Sequence, residues 1–336
     1  MQQTRAVVRL DAVRSNAQLF RAAAGTKLCA VVKADAYGHG AAEVARALRM
    51  QADCFAVALV EEGAQLRHAG IGGEILVLCP PLTEEEALRA AYHGLTVTVS
   101  DRQDVALLAR ACARFGARLR CHLKVNTGMN RFGFDEEPLA AALASRWPRG
   151  LRVEGIYSHF YRPEDRAATE AQFALFLRMA ERAQQRFGRL CRHIAATGGV
   201  LAGPRYALDM VRVGLGLYGY APAGFSVPAL RPALRVYASV AAARTAFSGG
   251  AGYGSYAPRP GPLSVVRAGY ADGFFRVGTG RNALCMDAFV AERAAQKYED
   301  VCVFSDADAY ALGHGTVSYE VLVRVCGRAV KEYVDG

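Results

Sequence analysis

From Leu28 to Leu217 the apolar positions change rhythm at short intervals. Brief β-rich runs give way to longer stretches with apolar residues three and four apart. The runs LCAVVK (28–33), CFAVA (54–58), EILVL (74–78), LTVTV (95–99), LRCHLKV (119–125), VEGIY (153–157), CRHIAA (191–196) and VRVGLGLYG (211–219) predict eight strands. Between them AAEVARALRM, TEEEALRAAYHG, DVALLARACARFG and TEAQFALFLRMAERAQQRFG carry the helical spacing, and several stop at Gly. Eight strand–helix units within about 200 residues predict an N-terminal (β/α)8 barrel of the TIM type.

After Pro222 the rhythm shortens to VYASVAAARTAF, LSVVRAGYADG, DVCVFS and EVLVRVCGRAV, separated by Gly, Pro and Asp turns with little helical periodicity. That pattern predicts a smaller all-β C-terminal domain. Pro222, Pro228 and Pro232 crowd the junction, so the division falls at 1–226 for the barrel and 227–336 for the β domain. The opening strand-like AVVRL suits either one.

Composition removes several alternatives. With 52% hydrophobic and 21% charged residues, the whole 336-residue chain is expected to fold. The net charge of +10 would suit a polyanion, but the arginines are scattered, with no basic block and no aromatic-interleaved basic run, so no nucleic-acid partner is expected. Nine cysteines form no CxxC pair and mostly sit in apolar runs, as reduced thiols do. The N-terminus lacks a signal-peptide core and no stretch approaches the roughly 18 apolar residues of a membrane span, so a cytoplasmic protein is expected. The histidines show no metal spacing, and the glycine-rich stretches near 276–281 and at GGAGYG follow no strand-to-helix transition, which argues against a metal or a nucleotide loop.

The chemistry gathers at strand ends, where barrels of this type keep their catalytic groups. Lys33 closes the first strand and precedes AlaAspAlaTyrGlyHisGly, with Tyr37 and His39 close by. Lys124 and Arg131 bracket strand five and its loop, His159 follows strand six, Thr197-Gly-Gly follows strand seven, and Arg212 with Gly214 lies on strand eight. The loops after strands seven and eight are where such barrels seat a phosphate. A lone strand-end lysine reads as a solvated charge; its coincidence with a phosphate seat on one face is what argues for a site.

The stretch VVKADAYGHG (31–40) resembles the pyridoxal-phosphate (PLP) attachment signature of alanine racemases. Further similarities run in the family's order through KVNTGMNRFG, YSHF, RHIAATGG, DMVRVGLGLYGYAP, GYGSYA, GYADGFFR, CMD and GTVSYE, nearly the whole chain. The resemblance implies that Lys33 binds PLP covalently and that Tyr253 is the second acid/base, donated by the partner subunit of a homodimer. It implies that Tyr37, Thr197, Gly214, Leu215 and Tyr319 hold the phosphate, Arg212 the pyridine nitrogen, and that His159 lies beside the ring. Arg131, Met286 and Asp287 match positions on the substrate-carboxylate side, the last two reaching across the dimer, and Lys124 matches a lysine carbamylated in some members.

The chemistry asks for these types independently. Deprotonating Cα of alanine needs an electron sink, hence PLP on a lysine, and inversion is best served by two proton-handling groups on opposite faces. Arginine at 212 stays charged and cannot accept a proton, which keeps the facing ring nitrogen unprotonated and suits a racemase. Departures from the family are Asn126 where Asp is usual, Ala196 where Asn is usual, and shortened segments between GYADGFFR and CMD and between Asp300 and GTVSYE. Two other readings remain: a racemase for serine or a broader amino-acid range, and a PLP-carrying protein without catalysis.

Overall fold

A computed structural model describes residues 4–245, 250–251, 258–276 and 283–335. In it the chain opens with β1 (Arg5–Arg9), runs straight into the helix Leu10–Ala24, and then lays down eight parallel strands. These are β2 (Lys27–Val31), β3 (Cys54–Val57), β4 (Glu74–Val77), β5 (Thr96–Val99), β6 (Leu119–Lys124), β7 (Leu151–Tyr157), β8 (Cys191–His193) and β9 (Met210–Val213). Each coincides with one of the eight apolar runs. Their hydrogen-bonded order is β8-β7-β6-β5-β4-β3-β2-β9, and the bridge Ala196↔Arg212 brings β8 back to β9, so the sheet curls into a nearly closed barrel.

Helices cover the outside, so the strands are buried on both faces; every residue of β3, β5 and β9 is buried. The last two strands stop earlier than their apolar runs. After His193 the chain leaves the sheet toward the helix Thr197–Ala202, and after Val213 it turns at Gly214 into the 3-10 segment Leu215–Tyr218.

The second domain is mostly sheet: β10 (Leu234–Arg244), β11 (Leu263–Val266), β12 (Phe289–Ala291), β13 (Asp300–Phe304) and β14 (Val330–Val334). β1 pairs antiparallel with β10 and parallel with β14, so the opening strand belongs to this sheet although it lies within the 1–226 division. Two short helices, Ala307–His314 and Ser318–Arg324, sit between β13 and β14. The Asp306 side chain caps the first by accepting from the N–H groups of Asp308 and Ala309, and Gly315 ends it in the left-handed conformation. The second packs against the turn after β2, which joins the two domains beside the barrel mouth.

Candidate active site

Lys33 lies two residues beyond β2 and opens the turn Lys33–Tyr37, in which Ala34, Asp35, Ala36 and Tyr37 all have φ between 51° and 55°. A left-handed backbone costs an L-residue about 1–2 kcal/mol, so four in succession need holding from outside. Glu62 Oε1 accepts from the Ala34 N–H at 2.6 Å, and Asp35 Oδ1 accepts from the Ala41 N–H at 2.8 Å. Lys331 of β14 pairs with Asp35 Oδ2 at 2.9 Å. Gly38, φ 81°, lies under the Leu322 carbonyl, where a Cβ would come within 2.5 Å of the oxygen, so no other residue fits. Beneath the turn, His39 Nδ1 lies 3.0 and 2.9 Å from the carbonyl oxygens of Ala36 and Tyr37 and must carry the ring proton. Burial lowers the His39 pKa to about 4, which keeps this ring neutral.

The mouth is cationic. Burial, followed by the Arg131 charge, pulls the Lys33 pKa below the usual lysine range; Cys79 and Glu62 act in the opposite direction, and Arg212 adds to the lowering. Lys124 ends β6 in a buried position with its ammonium 4.8 Å above the Tyr157 ring. Burial, Arg212 and Arg131 hold its pKa well below the usual value.

Arg212 is buried on β9, and among the described residues every hydrogen bond it makes is to a neutral group. Nη1 donates to His193 Nδ1 (2.7 Å) and the His193 carbonyl (3.2 Å); Nη2 donates to the carbonyls of Ser158 (2.7 Å) and Ile194 (3.2 Å) and to His159 Nδ1 (3.2 Å). A guanidinium only donates, so Nδ1 of both histidines is the acceptor and each Nε2 bears the proton. His193 Nε2–H then donates to His122 Nδ1 at 2.9 Å, and His122 Nε2–H points toward Glu74 Oε1, 3.5 Å away at the barrel floor. Burial lowers all three histidine pKa values, first among causes, with Arg212 next; His122 falls to about 3. Tyr157 stacks on His193 (centroids 4.9 Å apart, planes at 5°), with the Arg212 guanidinium 5.1 Å from its ring centre.

Across the mouth the groups suit an anion. The N–H groups of Thr197, Gly198 and Gly199 begin a helix and have no partner within it. Thr197 Oγ1 accepts from the Gly216 N–H at 3.2 Å. A Cβ on Gly214 would lie 2.6 Å from the Tyr37 hydroxyl, so that hydroxyl rests over bare backbone at Gly214, just before Leu215 opens the 3-10 segment. Tyr319, in the helix Ser318–Arg324, has its ring 6.1 Å from that of Tyr37.

The fold therefore brings Lys33, Tyr37, Lys124, Arg131, His159, Thr197, Arg212, Gly214, Leu215 and Tyr319 to one end of the barrel. Met286 and Asp287 lie elsewhere, on a second-domain turn: the Met286 carbonyl accepts from the Ala271 N–H (3.0 Å), and Asp287 accepts from Arg328 (2.9 Å). Tyr253 lies outside the described residues. Asn126 organises the loop that carries Arg131. Its amide donates to Asn130 and Asp135, and its oxygen accepts from the N–H groups of Gly128 and Asn130, an arrangement that an aspartate beside Asp135 could not reproduce.

Sequence reading missed Tyr157, His193, His122 and Glu62. A signal for Tyr157 and His122 was available: alternate residues of a barrel strand share a face. His122 with Lys124, and Tyr157 with His159, are such pairs. Glu62 had none, since nothing local ties it to Lys33.

A family model described as alanine racemase, N-terminal domain, matches residues 8–222. An alanine racemase of Treponema pallidum subsp. pallidum is 33% identical over 376 aligned residues, covering 98% of this chain and 98% of that protein. Among solved structures, alanine racemase from D-cycloserine-producing Streptomyces lavendulae is 30% identical with a TM-score of 0.90, covering 100% of this chain and 98% of the other. That from Bartonella henselae, described with covalently bound pyridoxal phosphate, shares the fold at 24% identity and a TM-score of 0.86, covering 99% of this chain and 100% of the other.

Proposed function

Because the chain belongs to the alanine racemase family, we propose that it interconverts L- and D-alanine with PLP bound at the barrel mouth, Lys33 and Tyr253 moving the proton at Cα. The observation that carries this reading is a desolvated amine beside an anion cradle, above a buried arginine whose hydrogen bonds among the described residues run only to neutral groups. The residues fit the cofactor. The hydroxyls of Tyr37, Tyr319 and Thr197 and the bare backbone at Gly214, just before Leu215, suit its phosphate, Lys33 its aldehyde, Arg212 its ring nitrogen, and His159 lies next to Arg212. When bound, PLP takes up the electron pair that Cα keeps as its proton leaves.

The chain's own groups do the rest. Lys33, with its proton affinity reduced by burial and Arg131, has more neutral amine at a given pH and so can take a proton from Cα and return it. Arg212 cannot accept a proton, so a ring nitrogen facing it stays unprotonated and stray transamination is limited. Arg131 is proposed to hold the substrate carboxylate. Lys124, whose pKa burial, Arg212 and Arg131 hold well below the usual lysine value and which has no carboxylate partner among the described residues, is suited to carbamylation.

Tyr253 is proposed to act on the opposite face of Cα, contributed by the second subunit of a homodimer together with Met286 and Asp287. The hydrogen bonds of the latter two run to second-domain residues, Ala271 and Arg328, rather than to the mouth loops, which supports a shared site. D-alanine for peptidoglycan is the proposed product, made in the cytoplasm. Among the described residues no helix is long and apolar enough to cross a membrane, and all nine cysteines are free.

Racemisation kinetics with PLP and alanine, serine or lysine test the substrate: alanine is expected to have the largest kcat/KM, and equal values would overturn the assignment. Tyr253→Phe is expected to lower kcat for alanine by about 100-fold or more. An unchanged kcat would remove the tyrosine from the mechanism.

A further inference from the structure

The turn that carries Lys33 is anchored by a carboxylate outside the residues assigned above. Glu62 stands in the first turn of the helix Val60–His68, just after β3. Its Oε2 accepts from the N–H groups of Ala58 (2.6 Å) and Leu59 (3.1 Å). That much is ordinary helix capping, in which an acidic side chain in the first turn satisfies N–H groups that the helix start leaves bare. Capping occupies one oxygen. The other, Oε1, crosses to the neighbouring loop and accepts from the N–H of Ala34, the residue after Lys33 and the first of the four left-handed ones. Nothing in starting the helix Val60–His68 calls for this second bond.

We propose that Glu62 is a positioning residue for Lys33: by holding the Ala34 N–H it fixes the left-handed turn and so the direction in which the lysine side chain leaves the barrel. The inference rests on Lys33 being the residue that captures PLP. The Asp35 contacts to Ala41 and Lys331 act on the next residue, and among the described residues the Ala34 N–H donates to Glu62 alone. Glu62 also acts on Lys33 through its charge. Among the groups that face the amine, Arg131, Arg212 and the neutral His159 either favour or tolerate loss of its proton, whereas Glu62 and Cys79 oppose it.

Two variants separate geometry from charge. Glu62→Gln preserves size but sets an NH2 group against either the Ala34 N–H or the Ala58 and Leu59 N–H groups, donor against donor. Glu62→Asp retains the charge but is one methylene too short to span both loops. The experiment follows covalent capture of added PLP by full-length apoprotein across pH, trapped with borohydride and located on Lys33 by peptide mass spectrometry, with melting temperature as the folding control. The expected plateau rate at high pH, where the amine is neutral in every form, falls by about tenfold or more in both variants. The midpoint of the pH curve moves down for Glu62→Gln, which loses the opposing charge, and stays for Glu62→Asp. Plateau rates within about twofold of the unsubstituted protein in both variants would overturn the proposal. If Glu62→Gln does not fold, the Glu62→Asp plateau decides alone. If the unsubstituted protein captures no PLP at Lys33, the reading of Lys33 itself fails, whatever the variants do.

Discussion

The β2 side of the barrel mouth and the β8–β9 side solve different problems by different means. On the β2 side four non-glycine residues adopt a left-handed backbone and are tied down by Glu62, Asp35, Lys331 and the Leu322 carbonyl. On the β8–β9 side small residues and short helical turns leave N–H groups bare, and Tyr37 and Tyr319 close over them. An anion cradle needs only room and donors, both local properties. Aiming an amine needs a backbone that its own sequence disfavours, so the lysine side depends on residues far away in the chain.

The largest expected effect breaks the amine side outright. Lys33→Ala should lower racemisation by about 1000-fold or more while leaving the melting temperature unchanged or raised, because the side chain removed is a desolvated cation. Chiral analysis of product and a thermal melt check both parts.

Acid should weaken both sides. His39 under the turn and His122 beneath Arg212 are neutral when folded, with pKa values of about 4 and about 3, below the ordinary histidine value. The unfolded chain therefore binds protons that the folded one does not, and stability falls as pH drops from about 6.5. Each ring contributes about 1.4 kcal/mol per pH unit until its folded pKa is reached. Urea midpoints should fall steadily from neutral pH toward about 4.5; a flat profile would mean these rings are not held neutral.

Gly214→Ala strikes the anion side through the ring of Tyr37, whose backbone ends the left-handed turn. Its Cβ would meet the Tyr37 hydroxyl at 2.6 Å and push that group off the cradle. PLP affinity, measured by equilibrium dialysis, should weaken by about tenfold, or ~1.4 kcal/mol, with the pH midpoint for Lys33 capture unchanged. The smallest effect sharpens the contrast: Ala34→Gly relieves an exposed residue at φ 51° without removing a buried methyl. It should stabilise the fold by about 0.5–1 kcal/mol after the added unfolded-chain entropy is subtracted, read as a small rise in urea midpoint. A loss of stability would show that the turn is not strained.

The same contrast explains what the sequence made legible. The eight barrel strands were readable because strands buried on both faces need unbroken apolar runs, and Gly-containing or polar turns ended them. The bare N–H groups proposed as an anion cradle were legible because Thr197-Gly-Gly and Gly214 supply them locally. The left-handed turn was not. AlaAspAlaTyr contains no glycine and by propensity would wind right-handed, and what imposes the other hand lies at Glu62 and Lys331. Nor could pattern reading assign β1 to the second sheet, since its partners, β10 and β14, come more than two hundred residues later. The helices Ala307–His314 and Ser318–Arg324 are too short to declare a period.

The most direct test of the central claim is to incubate the PLP-loaded protein with L-alanine in D2O and resolve the enantiomers by chiral chromatography and mass spectrometry. Proton exchange at Cα through Lys33 and Tyr253 predicts D-alanine carrying deuterium at Cα, and none with Lys33→Ala. D-alanine that keeps its original Cα hydrogen, or no D-alanine from protein shown to hold PLP on Lys33, would contradict it.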